Sequence, residues 1–335
     1  MRSYIDVCKV PLVNIAGKRV PKLIQGIHPF DGMTYVNAEK DQECRRIYMD
    51  VTKTVEILKY AILEAGIPVP QVDQDIPDLN RLHLSALTMI MEEAKIEIPV
   101  IPYIELPLRL KGKKLDPKRI FATYDKHNLG LGGEEYRDHF LNDPIVHYRA
   151  KSREEIITCD KVKPYSSEEL RSLEVDYTQF ERNVGFFKGF EILIPDIGAN
   201  ADLLAMTGHL DLLEESVREL KNEFGAVVFS IHHAGASIPP LEESGLDYDG
   251  YITPVNRLGA AMFPTQDKAL KAIGEAAKPT IAIKPQAGGR DLGEQSFRYV
   301  LGTKGVAACM VGLGTLEETQ ETLLAARKAL DLGAG

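Results

Sequence analysis

The chain has 335 residues, 40 Lys plus Arg against 49 Asp plus Glu, and a formal net charge of −9. An apolar fraction of 44% with 27% charged residues supports a sizeable core and excludes a disordered or collagen-like chain. No apolar run approaches the ~18 residues of a membrane span, and net negative charge without a Lys/Arg stripe argues against a nucleic-acid partner.

The N-terminal stretch MRSYIDVCKVPLVNIAGKRV has no continuous apolar region, so no secretion signal is expected. Cys8, Cys44, Cys159 and Cys309 lack CxxC spacing. They read as reduced thiols of a cytoplasmic protein, not as a zinc knuckle or disulfide frame.

In chain order, β-type runs are predicted first at residues 22–28 (KLIQGIH), 67–75 (IPVPQVDQD) and 97–106 (EIPVIPYIEL). Helical periodicity separates them, in RRIYMDVTKTVEILKYAILEAG with Gly66 as its C′ residue, and in LNRLHLSALTMIMEEAK. Further strands are predicted at 189–195 (GFEILIP), 226–235 (AVVFSIHHAG), 248–256 (YDGYITPVN), 279–289 (PTIAIKPQAGG) and 306–314 (VAACMVGLG). Helical patterns lie among these in DLLEESVRELKNEFG, TQDKALKAIGEAAK and EQSFRYVLGTKG, and LEETQETLLAARKAL follows the last strand.

Eight strands alternating with helices predict a (β/α)8 TIM barrel, whose active site lies at the C-terminal ends of the strands. Such a barrel takes ~250 residues, which leaves about 80 over. Residues 107–188 are assigned to a partly helical insertion after strand three, on the catalytic face, with a separate small domain as the alternative. The expected division is therefore 1–106, 107–188 and 189–335.

Strand alternation puts Thr280, Ala282 and Lys284 on one face and Ile281 and Ile283 on the other. With the bulky Ile residues turned to the helices, Lys284 would point into the barrel mouth. A lysine desolvated there can act as a base or form a Schiff base with a carbonyl. By the same alternation His232 shares a face with Val228 and Ser230, and becomes a candidate general acid–base group. Asp73 ends strand two and is a third candidate for proton transfer. Asp75 ends the same strand, and His28, Glu105, Asp196 and Asn256 end others. His28, Asp73, Glu105 and His232 are ligand types for a divalent metal, but no HxH or HExxH spacing supports one, and no metal is expected.

The segments PQAGGRD and VGLGTLEE carry glycines that let backbone approach a ligand, each followed by a helix whose N-terminus favours an anion. The candidate anion-binding residues are Gly288, Gly289, Arg290, Gly312, Gly314 and Thr315. The insertion contains Arg109, Lys111, Lys113, Lys114, Lys118 and Arg119, then KHNLGLGGEEYRDHF. It could form a lid over an anionic substrate, hinged at Gly130–Gly133. A solvated surface or a subunit interface is the plainer reading, so a homo-oligomer stays open.

DYDGYITPVN (247–256), IAIKPQAGGRD (281–291) and FRYVLGTKGVAACMVGLGTLEETQETL (297–323) resemble, in order and spacing, segments of the aldo/keto reductase superfamily. The resemblance implies NAD or NADP held through its phosphates by the loops after strands seven and eight, at Gly288, Gly289, Arg290, Gly312, Gly314 and Thr315. Asn256 would help position the ring. It also implies an Asp after strand two with a Tyr about five residues on, a Lys after strand three and a His after strand four. Asp73 matches the Asp. Pro77 and Asp78 stand where the Tyr is implied, and Tyr35 is the nearest substitute. Lys161, Lys163 and His209 are the only candidates for the other two places. KPQAGGR also resembles the strand-seven stretch of class I aldolases related to deoxyribose-phosphate aldolase. Three readings follow: an NAD(P)-dependent oxidoreductase acting on a small carbonyl or phosphorylated metabolite, a Lys284 Schiff-base lyase or aldolase, and a non-catalytic ligand-binding barrel.

Overall fold

The structure, a computed structural model, describes residues 1–149, 157–198 and 200–332. The chain begins with a short helix α1 (Tyr4–Val7) and a hairpin of β1 (Leu12–Ile15) and β2 (Lys18–Pro21). Barrel strand one is β3 (Leu23–Gly26), followed by α2 (Ala38–Tyr48) and α3 (Val51–Lys59). Then come β4 (Gln71–Val72), α4 (Pro77–Ala94) and β5 (Ile101–Ile104).

The segment after β5 builds a small antiparallel sheet from β6 (Leu108–Leu110), β7 (Lys113–Lys114) and, further on, β8 (Leu173–Val175). Between β7 and β8 lie α5 (Pro117–Asn142), α6 (Pro144–Arg149) and α7 (Ser167–Leu170), and α8 (Tyr177–Gly185) follows β8. The barrel resumes with β9 (Asp196–Ile197), α9 (Asn200–Thr207), α10 (Asp211–Phe224), β10 (Val228–Ser230) and α11 (Ala234–Glu243). It ends with β11 (Gly250–Pro254), α12 (Gln266–Glu275), β12 (Thr280–Ile283), α13 (Glu294–Gly302), β13 (Val306–Gly312) and α14 (Leu316–Ala329).

The eight long-range strands pair in the order β3-β13-β12-β11-β10-β9-β5-β4, all parallel. The ring closes between β3 and β4 through a parallel bridge of Gln25 with Pro70, where the Gln25 N–H donates to the Val69 carbonyl at 3.0 Å. This is the expected (β/α)8 barrel, with a long insertion after its third strand. No described helix is long and apolar enough to cross a membrane.

Two apolar layers hold it together, and they decide which strand residues face inward. One lies inside the ring: Ile24, Val69, Ile101, Ile194, Val228, Ile252, Ile281 and Met310 pack on Ile15 and Val20 of the hairpin, which plugs the N-terminal end. The other joins the strands' outer faces to the helices and holds Ala282, Leu23, Cys309 and Val311. The expected orientation of β12 is therefore reversed. Ile281 fills the lumen and Ala282 faces the helices, because the ring is wide enough for a bulky residue inside.

Strand four also shifts. Its ladder uses Asp196 and Ile197 beside Tyr103, Ile104, Val228 and Phe229, while the apolar Leu193 and Ile194 of the predicted run pack below it in the lumen. The long helical pattern at residues 45–66 is broken at Asp50, whose carboxylate caps α3 by accepting the Thr52 N–H at 3.0 Å. Gly66 does end that segment with φ +72°.

Candidate active site

The C-terminal rim of the ring carries the titratable groups. Just below it Asp196, fully buried, accepts the Ser230 hydroxyl at 2.7 Å. Burial drives the Asp196 carboxyl well above the usual range. Asp73 follows β4 and is buried, its Oδ1 accepting the N–H groups of Gln74 at 2.5 Å and Asp75 at 3.0 Å. Burial first, and the Asp75 charge second, push the Asp73 carboxyl up. The side chains of Asp75 and Glu105 touch solvent but are crowded by protein. Partial burial raises both, with Asp31 adding to the effect on Asp75 and Asp75 to that on Glu105.

The turn after β3 brings a second set of groups to the same rim. His28 Nδ1 is paired with Asp31 Oδ2; Asp31 is only 2% exposed whereas the His28 side chain is 31% exposed. The other Asp31 oxygen accepts the Met33 N–H at 3.0 Å, so the carboxylate is fixed from both sides. Behind it His83 stacks on Phe30 at 4.4 Å, and burial holds the His83 imidazole down at about 3. In front, the His28 ring meets Tyr35 edge-on at 5.4 Å.

Lys284 Nζ lies 4.8 Å above the Tyr35 ring, a cation–π distance. Lys284 reaches the mouth although its strand faces the other way from expectation. Its φ of +56° ends the β12 alternation and re-aims the side chain. Sequence reading gave Lys284 and His28 but not their common corner, which depends on β3 pairing with β13 and so lying two strands from β12.

The two glycine turns follow β12 and β13, which are neighbours in the ring, so they share one edge of the mouth. Both are packed against the turn after β3. A Cβ on Gly288 would lie 2.9 Å from Tyr35 Cβ, and one on Gly289 would lie 3.3 Å from Val36. A Cβ on Gly312 would strike the His28 carbonyl oxygen, and one on Gly314 the Glu318 carboxylate.

Arg290 donates from Nη1 to the carbonyls of Tyr35 (2.7 Å), Gly288 (3.0 Å) and Ala287 (3.3 Å). Thr315 caps α14 in a capping box with Glu318, which Lys40 also pairs at 2.6 Å. Asn256 is fully buried, and its carboxamide closes its own loop. It donates to the Ala260 carbonyl at 2.8 Å and accepts the Ala260 N–H at 2.9 Å.

On the opposite side, Val228 and Ser230 face the lumen as expected. The main-chain N–H groups of His232 and His233 donate to buried Asp202, at 2.6 and 3.3 Å. Burial raises Asp202 to about 7. His233 is turned into protein between Tyr124 and Phe263, with Asn128 of α5 at 2.8 Å from its Nδ1, and burial lowers it to about 3.

The insertion covers this rim. Besides Asn128, His139 contacts the Met262 carbonyl at 3.0 Å, Asp143 accepts the Ala261 N–H at 2.5 Å, and Tyr148 meets Tyr35 at 6.1 Å. Gly133, with φ +55°, kinks α5 within the expected hinge. Two arginines of the basic cluster are engaged within the insertion. Arg109 is paired with Asp176, Arg119 is chelated by Glu169 over the Tyr165 ring, and Lys113 and Lys114 are exposed on β7.

Several places implied by the resemblance are filled by other residues. Pro77 and Asp78 begin α4. The residue after β5 is Glu105 and the one after β9 is Gly198, where Lys and His are implied. His209 is excluded from the strand-four place, because it follows α9 and so lies beyond a whole helix. Lys163 lines a cavity of about 430 Å3 with Lys126, Cys159 and Tyr165, inside the insertion, and Lys161 caps the 3-10 turn Thr158–Asp160 nearby. A second cavity, about 510 Å3, lies between α5 and α12. Among the described residues, no three His, Cys, Asp or Glu side chains gather as a metal would need.

No family model and no curated protein matches the chain in sequence. Solved structures do match in shape. An aldo-keto reductase from Bacillus halodurans, in its holo form, is similar over 97% of this chain and 97% of its own, with a TM-score of 0.53 and 12% identity. A Pseudomonas aeruginosa protein assigned to the aldo-keto reductases is similar over 96% and 94%, with a TM-score of 0.52 and 16% identity. The fold is that of the aldo-keto reductases. The likeness spans the whole barrel, not only the C-terminal third that carries the sequence resemblance.

Proposed function

We propose that the protein is an NAD(P)-dependent oxidoreductase acting on a small carbonyl compound at the C-terminal mouth of the barrel, its catalytic set differing from the one the resemblance implies. The observation that carries this reading is the pair of glycine turns on the adjacent strands β12 and β13, opening beside Lys284 and His28 in a barrel of reductase shape.

The turns suit a dinucleotide in their backbone and their place. In the arrangement described here they are packed by Tyr35, Val36 and the His28 carbonyl, so binding would move the Tyr35–Val36 end of the turn after β3 and leave the His28–Asp31 pair in place. Gly288, Gly289, Arg290, Gly312, Gly314 and Thr315 would then hold the phosphates, Arg290 exchanging carbonyl partners for phosphate oxygens. When bound, the nicotinamide supplies or takes the hydride. Asn256 enters this reading as a brace of its loop, since its carboxamide is already engaged there. Buried Asp73 and Asp196 shape the floor, and the insertion roofs the site. Four free cysteines fit a reducing, cytoplasmic setting.

Thermal unfolding with NADPH, NADH and sugar phosphates at millimolar concentration tests the reading. A raised midpoint with either nucleotide is expected. No shift with either would overturn it.

One observation favours a second reading. Lys284 is the lysine at the mouth, and Glu105 takes the place after strand three. A Lys284 amine adding to a substrate carbonyl, with loss of water, would give a Schiff base for lyase chemistry. Borohydride trapping separates the two: a stable adduct on Lys284 replaces the reductase reading with this one.

A further inference from the structure

We propose that His28, oriented by Asp31, is the group that passes the proton to and from substrate at the barrel mouth, doing the work that the resemblance would give to a tyrosine after strand two. This rests on the reductase reading for its hydride but not for its geometry.

The dyad has the parts such a group needs. Asp31 is buried and fixed, one oxygen on the Met33 N–H and the other on His28 Nδ1. A carboxylate on Nδ1 sets the imidazole's tautomer and orientation and leaves Nε2 for exchange. The His28 side chain is open to the mouth, while its own carbonyl packs on Gly312. It therefore stands where one of the two glycine turns ends. Tyr35 holds the ring edge-on, and Lys284 above Tyr35 gives the same corner a cation.

Three other titratable groups near the rim are less well placed. Asp73 is buried below the rim with its Oδ1 tied to two N–H groups, and His233 is enclosed by Tyr124, Phe263 and Asn128. His83 is closed in behind Phe30.

In the forward direction a bound reduced nicotinamide would supply hydride to the carbonyl carbon. The carbonyl oxygen takes the proton from Nε2, the C=O π bond gives way to C–H and O–H bonds, and the imidazole is left neutral. Water returns the proton. The charged groups facing His28 are Asp31 on its own turn, Asp75 after β4 and Lys284 across Tyr35.

The test uses the full-length protein labelled with 15N-histidine. Long-range 1H–15N correlation spectra report which ring nitrogen of neutral His28 carries the proton. Wild type is expected to carry it on Nδ1, and Asp31→Ala to lose that preference, with Asp31→Asn as the milder variant if Ala fails to fold. A proton on Nε2 in wild type overturns the dyad.

The second arm is reduction of 4-nitrobenzaldehyde by NADPH. His28→Gln is expected to lower kcat about 100-fold or more, with KM within about threefold. A kcat within threefold of wild type overturns the role. A wild type inert to both nucleotide and aldehyde removes the reductase reading instead, and the tautomer then decides the dyad alone.

Discussion

Arg290 Nη1 donates to the main-chain oxygen of Tyr35 at 2.7 Å, tying the turn after β12 to the turn after β3 across the end of β13. The same nitrogen reaches Gly288 and Ala287 carbonyls of its own turn. One cation thus holds two turns against each other over the proposed cofactor groove. A hydrogen bond from a charged donor is worth about 1.5–3 kcal/mol, less where solvent reaches it. Arg290→Ala is therefore expected to speed amide exchange of residues 34–37 by about tenfold, which corresponds to ~1.4 kcal/mol. Arg290→Lys should restore part of the protection, because all three contacts leave one nitrogen and an ammonium carries three N–H donors. Unchanged exchange in both variants would show that the turns are held by packing alone.

The C-terminal strands were legible because the barrel buries them on both faces, giving short apolar runs that end in glycine or polar residues. The handedness of a face was not. Ile281 and Ala282 alternate either way, and only the space inside the ring decides that isoleucine goes in. α11 left no helical signature because Pro239 and Pro240 interrupt it. The His28–Asp31 pair is local, three residues apart. Its link to Tyr35 and Lys284 is not local, since nothing in the sequence says that residue 284 returns beside residue 35. The likeness of the N-terminal half to known reductases is one of shape alone; where the sequence resemblance implies Tyr, Lys and His, this chain has Pro77 or Asp78, Glu105 and Gly198.

Gly312 has neighbours on the side where a Cβ would point, and Gly302 has none within 4 Å. Gly312→Ala drives a methyl into the His28 carbonyl oxygen, and backbone must move to admit it. Overpacking of this kind costs about 1–3 kcal/mol. Gly302→Ala, at the end of α13, adds a methyl into open space and should be neutral or stabilising by up to about 1 kcal/mol. Unfolding free energies from urea titrations of the two variants should move in opposite directions or differ by at least about 1 kcal/mol. Equal free energies would mean that the turn after β3 yields freely.

Asn256 separates a structural from a ligand-holding role. Its carboxamide satisfies both the N–H and the C=O of Ala260 while fully buried. Asn256→Ala leaves both without that partner and should cost about 2 kcal/mol in unfolding free energy. NADPH affinity, read from the thermal shift, should then change less than threefold. A variant of native stability with affinity lost would return Asn256 to the cofactor.

The last prediction concerns acid. His233 is held neutral by burial between Tyr124 and Phe263, its imidazole lowered from 6.5 to about 3. Between those values the unfolded chain binds the proton and the native protein does not. Native stability from this site is complete above about pH 6.5 and is lost as pH falls toward 3, with a limiting slope near 1.4 kcal/mol per pH unit. His233→Gln keeps an oxygen for the Asn128 amide and has no proton to gain. The unfolding free energy of wild type should therefore fall relative to His233→Gln between pH 6.5 and 4.5, by up to about 1.4 kcal/mol per unit, while above pH 7 their difference stays constant. His83, lowered in the same way, titrates equally in both proteins and cancels. Parallel stability curves through the acid range would mean that His233 takes up its proton inside the folded barrel, and that α5 moves to let it.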